Sequence, residues 1–196
     1  MTEFWLIRHG QTEWNIEGRF QGSSDVPLNQ NGIAQAEQLA EKLFDNQHKF
    51  SAVYSSDLIR AIKTAEIIAE RLGLDVFQNS NLREISQGEW EGQLFVDIKA
   101  NYPDEILERR KNPVSFRPPG GETVGEVAAR CTIAADEIAI KHPEQKVFIV
   151  SHGISIATLI CMANGFPMSK AFEMIPENAD PYIIEWVPSL QRIIEQ

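Results

Sequence analysis

Three short apolar runs in this chain each end in groups able to grip an anion. Phe4-Trp5-Leu6-Ile7 runs straight into Arg8-His9-Gly10, and Val147-Phe148-Ile149-Val150 runs into Ser151-His152-Gly153. Phe50-Ser51-Ala52-Val53-Tyr54 ends in Ser55-Ser56-Asp57, with Arg60 just beyond. Each run is long enough for a buried strand and too short for a helix. In an open parallel sheet, ligands sit outside the carboxyl ends of the strands. Three such ends side by side would bring Arg8, His9, Arg60 and His152 to one pocket. Two imidazoles and two guanidinium groups suit an oxyanion, above all phosphate. Phosphoryl transfer asks a protein mainly for positioning and for positive charge around the non-bridging oxygens. Arg8 and Arg60 are the natural clamps, and a helix starting at Gly153 adds backbone N–H donors. Side chains in a first helical turn lean toward the N-terminus, which aims Arg60 at the strand ends.

The elements that must position these groups can be read from periodicity. Residues 10–28, rich in Gly, Asn, Ser and Asp, read as a long loop, and loops of that length in compact domains are usually functional. Asn29 suits an N-cap, and Ile33, Ala36, Ala40, Leu43 and Phe44 form one apolar stripe at helical spacing. A helix is expected from about Asp57 to Leu72, closed by Gly73, with a short strand next at 74–77. Residues 93–120 read as a helical flap, with Pro103 suiting a helix start and Arg109-Arg110-Lys111 its end. A long helix is expected from Glu122 to about His142, and an apolar helix from Ile154 stopped by Gly165. Tyr182–Val187 reads as a late edge strand. The order β-α-β-α-β-(flap)-α-β-α-β predicts a three-layer α/β/α sandwich with a mostly parallel sheet, one domain over residues 1–196. His48 and His142 fall at predicted helix ends, where an imidazole suits the dipole, and are given no role.

Composition narrows the partners. The chain has 196 residues, 43% hydrophobic and 23% charged, ordinary for a globular protein with a real core. A net charge of −10 argues against nucleic acid or an anionic membrane, since both need a basic face. The cationic pocket is therefore a local exception. Cys131 and Cys161 sit inside apolar helical patterns and read as reduced core residues. No apolar run approaches a membrane span of ~20 residues, and the first strand begins too near Met1 for a signal peptide. A cytoplasmic protein is expected.

The blocks Leu6-Ile7-Arg8-His9-Gly10-x-Thr12-x-x-Asn15, Ser55-Ser56-Asp57-Leu58-x-Arg60-Ala61, Leu82-Arg83-Glu84-Ile85, Gly88-x-Trp90-Glu91-Gly92, Gly120-Gly121-Glu122 and Val150-Ser151-His152-Gly153 stand in order along residues 4 to about 165. In this they resemble the histidine phosphatase superfamily, which includes the cofactor-dependent phosphoglycerate mutases, and the fold implied is phosphoglycerate mutase-like. The resemblance implies that His9 is the nucleophile and becomes a phosphohistidine, which needs a neutral imidazole; the neighbouring arginines favour one. It implies that Arg8, Arg60 and His152 stabilise the transferring phosphoryl group. It favours Glu84 as the general acid, kept protonated by a phosphate dianion beside it, over the loop carboxylates Glu13, Glu89 and Glu91. Asn15 resembles a phosphate-oxygen donor, and Gln21, Gly22 and Gly153 fall at phosphate- or substrate-contacting positions. Trp90 suits either a pocket floor or a packing role.

The activity implied is that of a histidine acid-type phosphatase, hydrolysing small phosphomonoesters without metal or other cofactor. A phosphoglycerate mutase is the alternative. Mutases resemble a longer chain with a Tyr-Gly segment after the catalytic Glu, where this chain has Gly88-Glu89-Trp90-Glu91-Gly92. A non-catalytic phosphate binder is a third reading, at odds with the full set of catalytic residue types. A zinc or di-metal hydrolase would set Arg8 against the metal. The partner expected is a small phosphomonoester, with a homodimer left open. Specificity should reside in residues 20–25 and the flap.

Overall fold

A computed structural model describes residues 1–45 and 49–189, so His48 lies outside the described residues. Strands β1 (Thr2–Arg8), β2 (Ala52–Ser55), β3 (Val76–Gln78), β4 (Lys146–Ser151) and β5 (Pro181–Trp186) form one sheet in the order β3-β2-β4-β1-β5. The first four are parallel, and β5 pairs antiparallel with β1 at the edge. Register decides where the chemistry falls. Arg8 pairs with Ser151 and Ser55 with Val150, so β1, β4 and β2 finish at one level and release His9, His152 and Ser56 side by side.

The strand pleat sorts the core into two layers. Phe4, Leu6, Val147 and Ile149 face helices α6 (Val124–Lys141) and α7 (Gly153–Asn164), against Val127, Cys131, Ile138, Ile156 and Ile160. Ile7, Val53, Phe148 and Val150 face α2 (Gln30–Asp45) and α3 (Ile59–Leu72), against Leu39, Leu43, Ala65 and Ile68. Covered on both faces, β4 is a continuous apolar run, as a central parallel strand must be. The α/β/α sandwich expected from the sequence is the observed architecture. Cys131 and Cys161 are buried free thiols, and burial pushes Cys131 up to about 11.

The structure departs from the sequence reading in several places, among them the start of α6 at Val124 and the position of β3 at 76–78. The 10–28 segment contains a short helix, α1 (Glu13–Glu17), whose capping box joins Thr12 to Asn15. Five residues are too few to show a helical period, and the box uses Asn in place of the usual Glu or Gln. Phe44 is not on the buried stripe of α2; it is 48% exposed, with the Arg71 guanidinium 3.3 Å over its ring. The α3 helix begins at Ile59, two residues later than expected, and its cap comes from afar: the Ile59 N–H donates to Asp25 Oδ1 at 2.7 Å.

Residues 95–111 form α4 (Phe95–Asn101) and α5 (Pro103–Lys111). They pack on a separate small core of Trp90, Ile98 and Ile106 with Phe20 and Phe116 alongside. Trp90 therefore packs as a core residue here. The segment is stitched to the 10–28 loop through Phe20 N–H to Gln93 O at 3.0 Å, Gly92 N–H to Phe20 O at 2.8 Å and Phe95 N–H to Gly18 O at 2.9 Å.

The turn after β1 also depends on two glycines in contact. A Cβ on Gly10 would lie 2.3 Å from Gly32 O, and one on Gly32 would lie 2.1 Å from Gln11 O. Both opposing atoms are backbone, so neither can swing away. Gly32→Ala should lower unfolding free energy by about 1–3 kcal/mol, the range for overpacked sites, and should depress activity by displacing His9. Urea denaturation checks this; unchanged stability would mean the two backbones separate freely.

Candidate active site

His9 leaves β1 almost fully buried, with its backbone N–H on Ser151 O at 3.0 Å. Its Nδ1 lies 2.7 Å from Gly10 O. A carbonyl only accepts, so Nδ1 carries the hydrogen and Nε2 keeps the lone pair. That lone pair faces Arg60, whose Nε lies 3.3 Å away. Burial holds the His9 imidazole well below its ordinary value, and the Arg60 and Arg8 charges push it further down. The ring is neutral at pH 7.

Arg60 is completely buried at the start of α3, yet not on an apolar floor. Its Nη1 donates to Ser24 O at 2.7 Å and its Nη2 to Gly22 O at 2.9 Å. Burial brings the guanidinium down to about 10, while Glu84, Asp25 and Glu91 support its charge. It stays protonated at neutral pH. Arg8 is braced from the other side, where residues 176–179 fold over the end of β1. Arg8 Nη1 donates to Pro176 O at 3.1 Å, Asn178 Nδ2 to His9 O at 2.7 Å, and Ala179 N–H to Arg8 O at 2.8 Å. Ala179 adopts φ 54°, a left-handed conformation that a residue with a Cβ holds only when its surroundings impose it.

His152 is buried beside His9, with ring centroids 5.1 Å apart. Its Nε2 lies 2.8 Å from Ser56 Oγ, which itself accepts the Leu58 N–H at 3.3 Å. Nε2 and the Ser56 hydroxyl share this hydrogen bond. The ring's other nitrogen, Nδ1, and the Arg8 Nε are buried without a protein partner. Burial and the Arg60 charge hold His152 well below its ordinary value as well.

Glu84 caps α7. Its Oε2 accepts the Ile154 N–H at 3.2 Å, and its Oε1 accepts those of Ser155 at 3.3 Å and Ile85 at 2.9 Å. The helix-start donors expected to face an anion at Gly153 are thus partly taken by this carboxylate. Gly153 itself lies against the site, where a Cβ would approach Glu84 Oε2 to 3.5 Å and Arg8 Nε to 3.9 Å. The backbone that carries Glu84 is gathered by Arg130, which donates to Asn81 O at 2.9 Å, Arg83 O at 2.6 Å and Glu84 O at 3.0 Å while pairing with Glu122.

Arg8, His9, Asn15, Gln21, Gly22, Arg60 and Glu84 line one cavity of about 330 Å³. Asn15 Oδ1 is engaged by Thr12 N–H at 3.0 Å, so its Nδ2 is the group left to donate. Glu13 and Glu89 are exposed and, with Glu91, lie outside this lining. Phe20 from the 20–25 segment and Phe95, Ile106 and Arg109 from the flap also line the cavity, where the sequence placed specificity without naming these residues for it. Gln87 and Phe172 lie outside both segments and were missed. Arg109, expected at a helix end beside Arg110 and Lys111, is turned inward instead. It is 6% exposed and lies near the rings of Phe20, Trp90 and Phe172, 5.3–5.8 Å from their centres. Its i, i+3 spacing from Ile106 was the available signal. His142, given no role, bonds Tyr54 Oη at 3.1 Å, away from the cavity. Among the described residues no group of three or more His, Cys, Asp or Glu could hold a metal ion, and no helix is long and apolar enough to cross a membrane.

A strand-end histidine between two arginines, on a parallel three-layer fold, defines the class as that of the histidine phosphatases. The chain belongs to the histidine phosphatase superfamily (branch 1), whose family model matches residues 4–195. It is 39% identical to phosphoglycerate mutase-like protein 4 of Arabidopsis thaliana, over 88% of this chain and 75% of that one. It is 32% identical to phosphoserine phosphatase 1 of Hydrogenobacter thermophilus, over 94% and 86%. Among solved structures, a mycobacterial glucosyl-3-phosphoglycerate phosphatase in complex with VO3 superposes with a TM-score of 0.84 at 33% identity, over 92% and 90%.

Both imidazoles are neutral in the fold and titrate more readily once exposed. The unfolded chain therefore binds more protons below pH 6.5, and stability falls as pH drops through that point. Among the described residues, the carboxylates held below their ordinary values, Glu41, Asp57 and Glu126, act only at lower pH. Below pH 6.5 the slope has an upper limit of about 1.4 kcal/mol per pH unit for each histidine, that of one proton taken up on unfolding. Denaturation at pH 7, 6 and 5 checks this, and His152→Asn should flatten the slope by about half.

Proposed function

We propose that this chain is a phosphomonoesterase acting on small phosphorylated metabolites through a phosphohistidine on His9, with no metal ion. The observation that carries this reading is the state of His9. A neutral ring tethered through Nδ1 keeps its lone pair on Nε2, which accepts the Arg60 Nε–H at 3.3 Å. That nitrogen becomes the nucleophile once an incoming phosphate draws the guanidinium onto its own oxygens. The unpartnered Arg8 Nε–H and His152 Nδ1 support this reading, because buried polar groups without partners ask for a reason. So do relatives named as phosphatases.

In the first step the Nε2 lone pair forms the N–P bond as the P–O bond to the leaving group breaks. Glu84, in its protonated form, gives its proton to the departing oxygen. In the second step water attacks phosphorus, the N–P bond breaks, and Glu84 takes the proton that water releases. Arg8, Arg60, His152 and the Asn15 amide stabilise the equatorial oxygens. The positive charge that phosphoryl transfer needs is supplied by side chains, so activity should persist in EDTA.

A phosphoglycerate mutase reading is favoured by relatives carrying that name. Interconversion of 3- and 2-phosphoglycerate faster than release of phosphate would select it over hydrolysis.

Brief reaction with substrate should label the wild type with an acid-labile, base-stable phosphoryl group that is absent in His9→Ala. Equal labelling of both proteins overturns the assignment. Glu84→Gln should keep much of the activity on nitrophenyl phosphate, whose phenolate leaves without a proton. On an alkyl phosphate it should lose roughly 10²–10⁴-fold, the usual worth of general acid catalysis. Equal impairment of the two substrates would move the proton donor elsewhere.

A further inference from the structure

Glu91 lies outside the cavity, yet its carboxylate is more heavily bonded than a solvated loop residue needs. Its Oε1 accepts the Ser23 N–H at 2.9 Å and the Gln87 N–H at 3.0 Å, with Ser86 Oγ at 3.4 Å. Its Oε2 accepts the Ser24 hydroxyl at 2.8 Å. The loop it grips is the loop whose Gly22 and Ser24 carbonyls hold both terminal nitrogens of Arg60. Gly22 sits at φ 52°, and a Cβ there would lie 2.3 Å from Glu91 Oε1. The glycine is thus explained by the close approach of Glu91 as well as by its own backbone conformation.

We infer that Glu91 is a positioning residue, which fixes the Arg60 guanidinium against His9 through the loop at residues 22–24. The chain of contacts is continuous: carboxylate to Ser23 and Ser24, their neighbouring carbonyls to Arg60, and Arg60 Nε to His9 Nε2. A guanidinium misplaced by an ångström loses most of its hold on a phosphoryl group. A plain anchoring role for the flap edge would also use the Gln87 bond, but it would not couple Glu91 to Arg60. The inference rests on the phosphatase reading only in treating Arg60 as an oxyanion clamp.

The test is a double-mutant cycle between Glu91→Ala and Arg60→Ala, read by nitrophenyl phosphate turnover and by calorimetric binding of inorganic phosphate. In the wild-type background Glu91→Ala should lower kcat by roughly 10²-fold and weaken phosphate by about tenfold, the equivalent of one lost hydrogen bond to a charged group. In the Arg60→Ala background the same change should alter either quantity by less than about twofold. Equal losses in both backgrounds would overturn the inference. Glu91→Gln retains an oxygen for the Ser23 and Gln87 N–H groups and should recover most of the activity; a loss as deep as that of Ala overturns positioning through these bonds. If Glu91→Ala does not fold, Ser24→Ala removes one grip, and its few-fold loss should likewise vanish beside Arg60→Ala. A wild type inert toward phosphomonoesters would sink the phosphatase reading alone, since the cycle is still read in phosphate affinity.

Discussion

Two imidazoles and two guanidinium groups share one buried site, and like-charge repulsion together with burial permits this only if both rings are neutral. Much of the surrounding structure serves that condition. The Gly10 carbonyl takes the Nδ1 hydrogen of His9, and the Ser56 hydroxyl shares a hydrogen bond with Nε2 of His152. The guanidinium groups keep their charge because backbone carbonyls, a weaker and more evenly spread negative field, do the solvating. Arg60 is held by Gly22 and Ser24, and Arg8 by Pro176. A carboxylate bonded directly to either arginine would cancel the field that an incoming anion feels. Glu84, Asp25 and Glu91 instead act on Arg60 through space.

The site draws on distant parts of the chain because its walls have different duties. The strand ends set the reacting groups with the stiffness of a paired sheet. The segments at 20–25, 84–91 and 175–179 add the outer contacts, and a polar side chain ties each to another element: Asp25 of the first to the start of α3, Arg130 of α6 to the Glu84 backbone, and Asn178 of the third to the end of β1. Charged side chains clasping backbone atoms suit this task, since loops have no ladder of their own to fix them.

The sheet, its helices and the strand-end residues are legible in the sequence because each depends on local pattern. Alternation and apolar runs locate β1, β2 and β4, and residues just past a strand end necessarily lie at the edge of a sheet. Arg8, His9, Arg60 and His152 can therefore be brought together from the sequence alone. The other devices have no local signature. The Asp25 cap on α3 spans 34 residues and the Arg130 clasp spans 46 to 49, so either reads in sequence as a solvated charge. Arg109 misleads for the same reason: beside Arg110 and Lys111 it looks like compensation for a helix dipole, and only the rings of Phe20, Trp90 and Phe172, none of them near it in sequence, draw it inward. α1 escapes notice because a helix of one turn has no period.

The flap keeps its hydrophobic core apart from the two that sandwich the sheet. Trp90, Ile98 and Ile106 share no cluster with β1 or β4, and main-chain bonds between residues 18–20 and 92–95 and from Val124 N–H to Pro113 O help join the segment to the rest of the chain. Main-chain bonds are indifferent to side-chain identity. Side chains on the flap's side of the cavity can therefore be exchanged without breaking those bonds, while the histidines, the arginines and the sheet that orders them stay in place. The residues on this side of the cavity are in this way uncoupled from those at the strand ends.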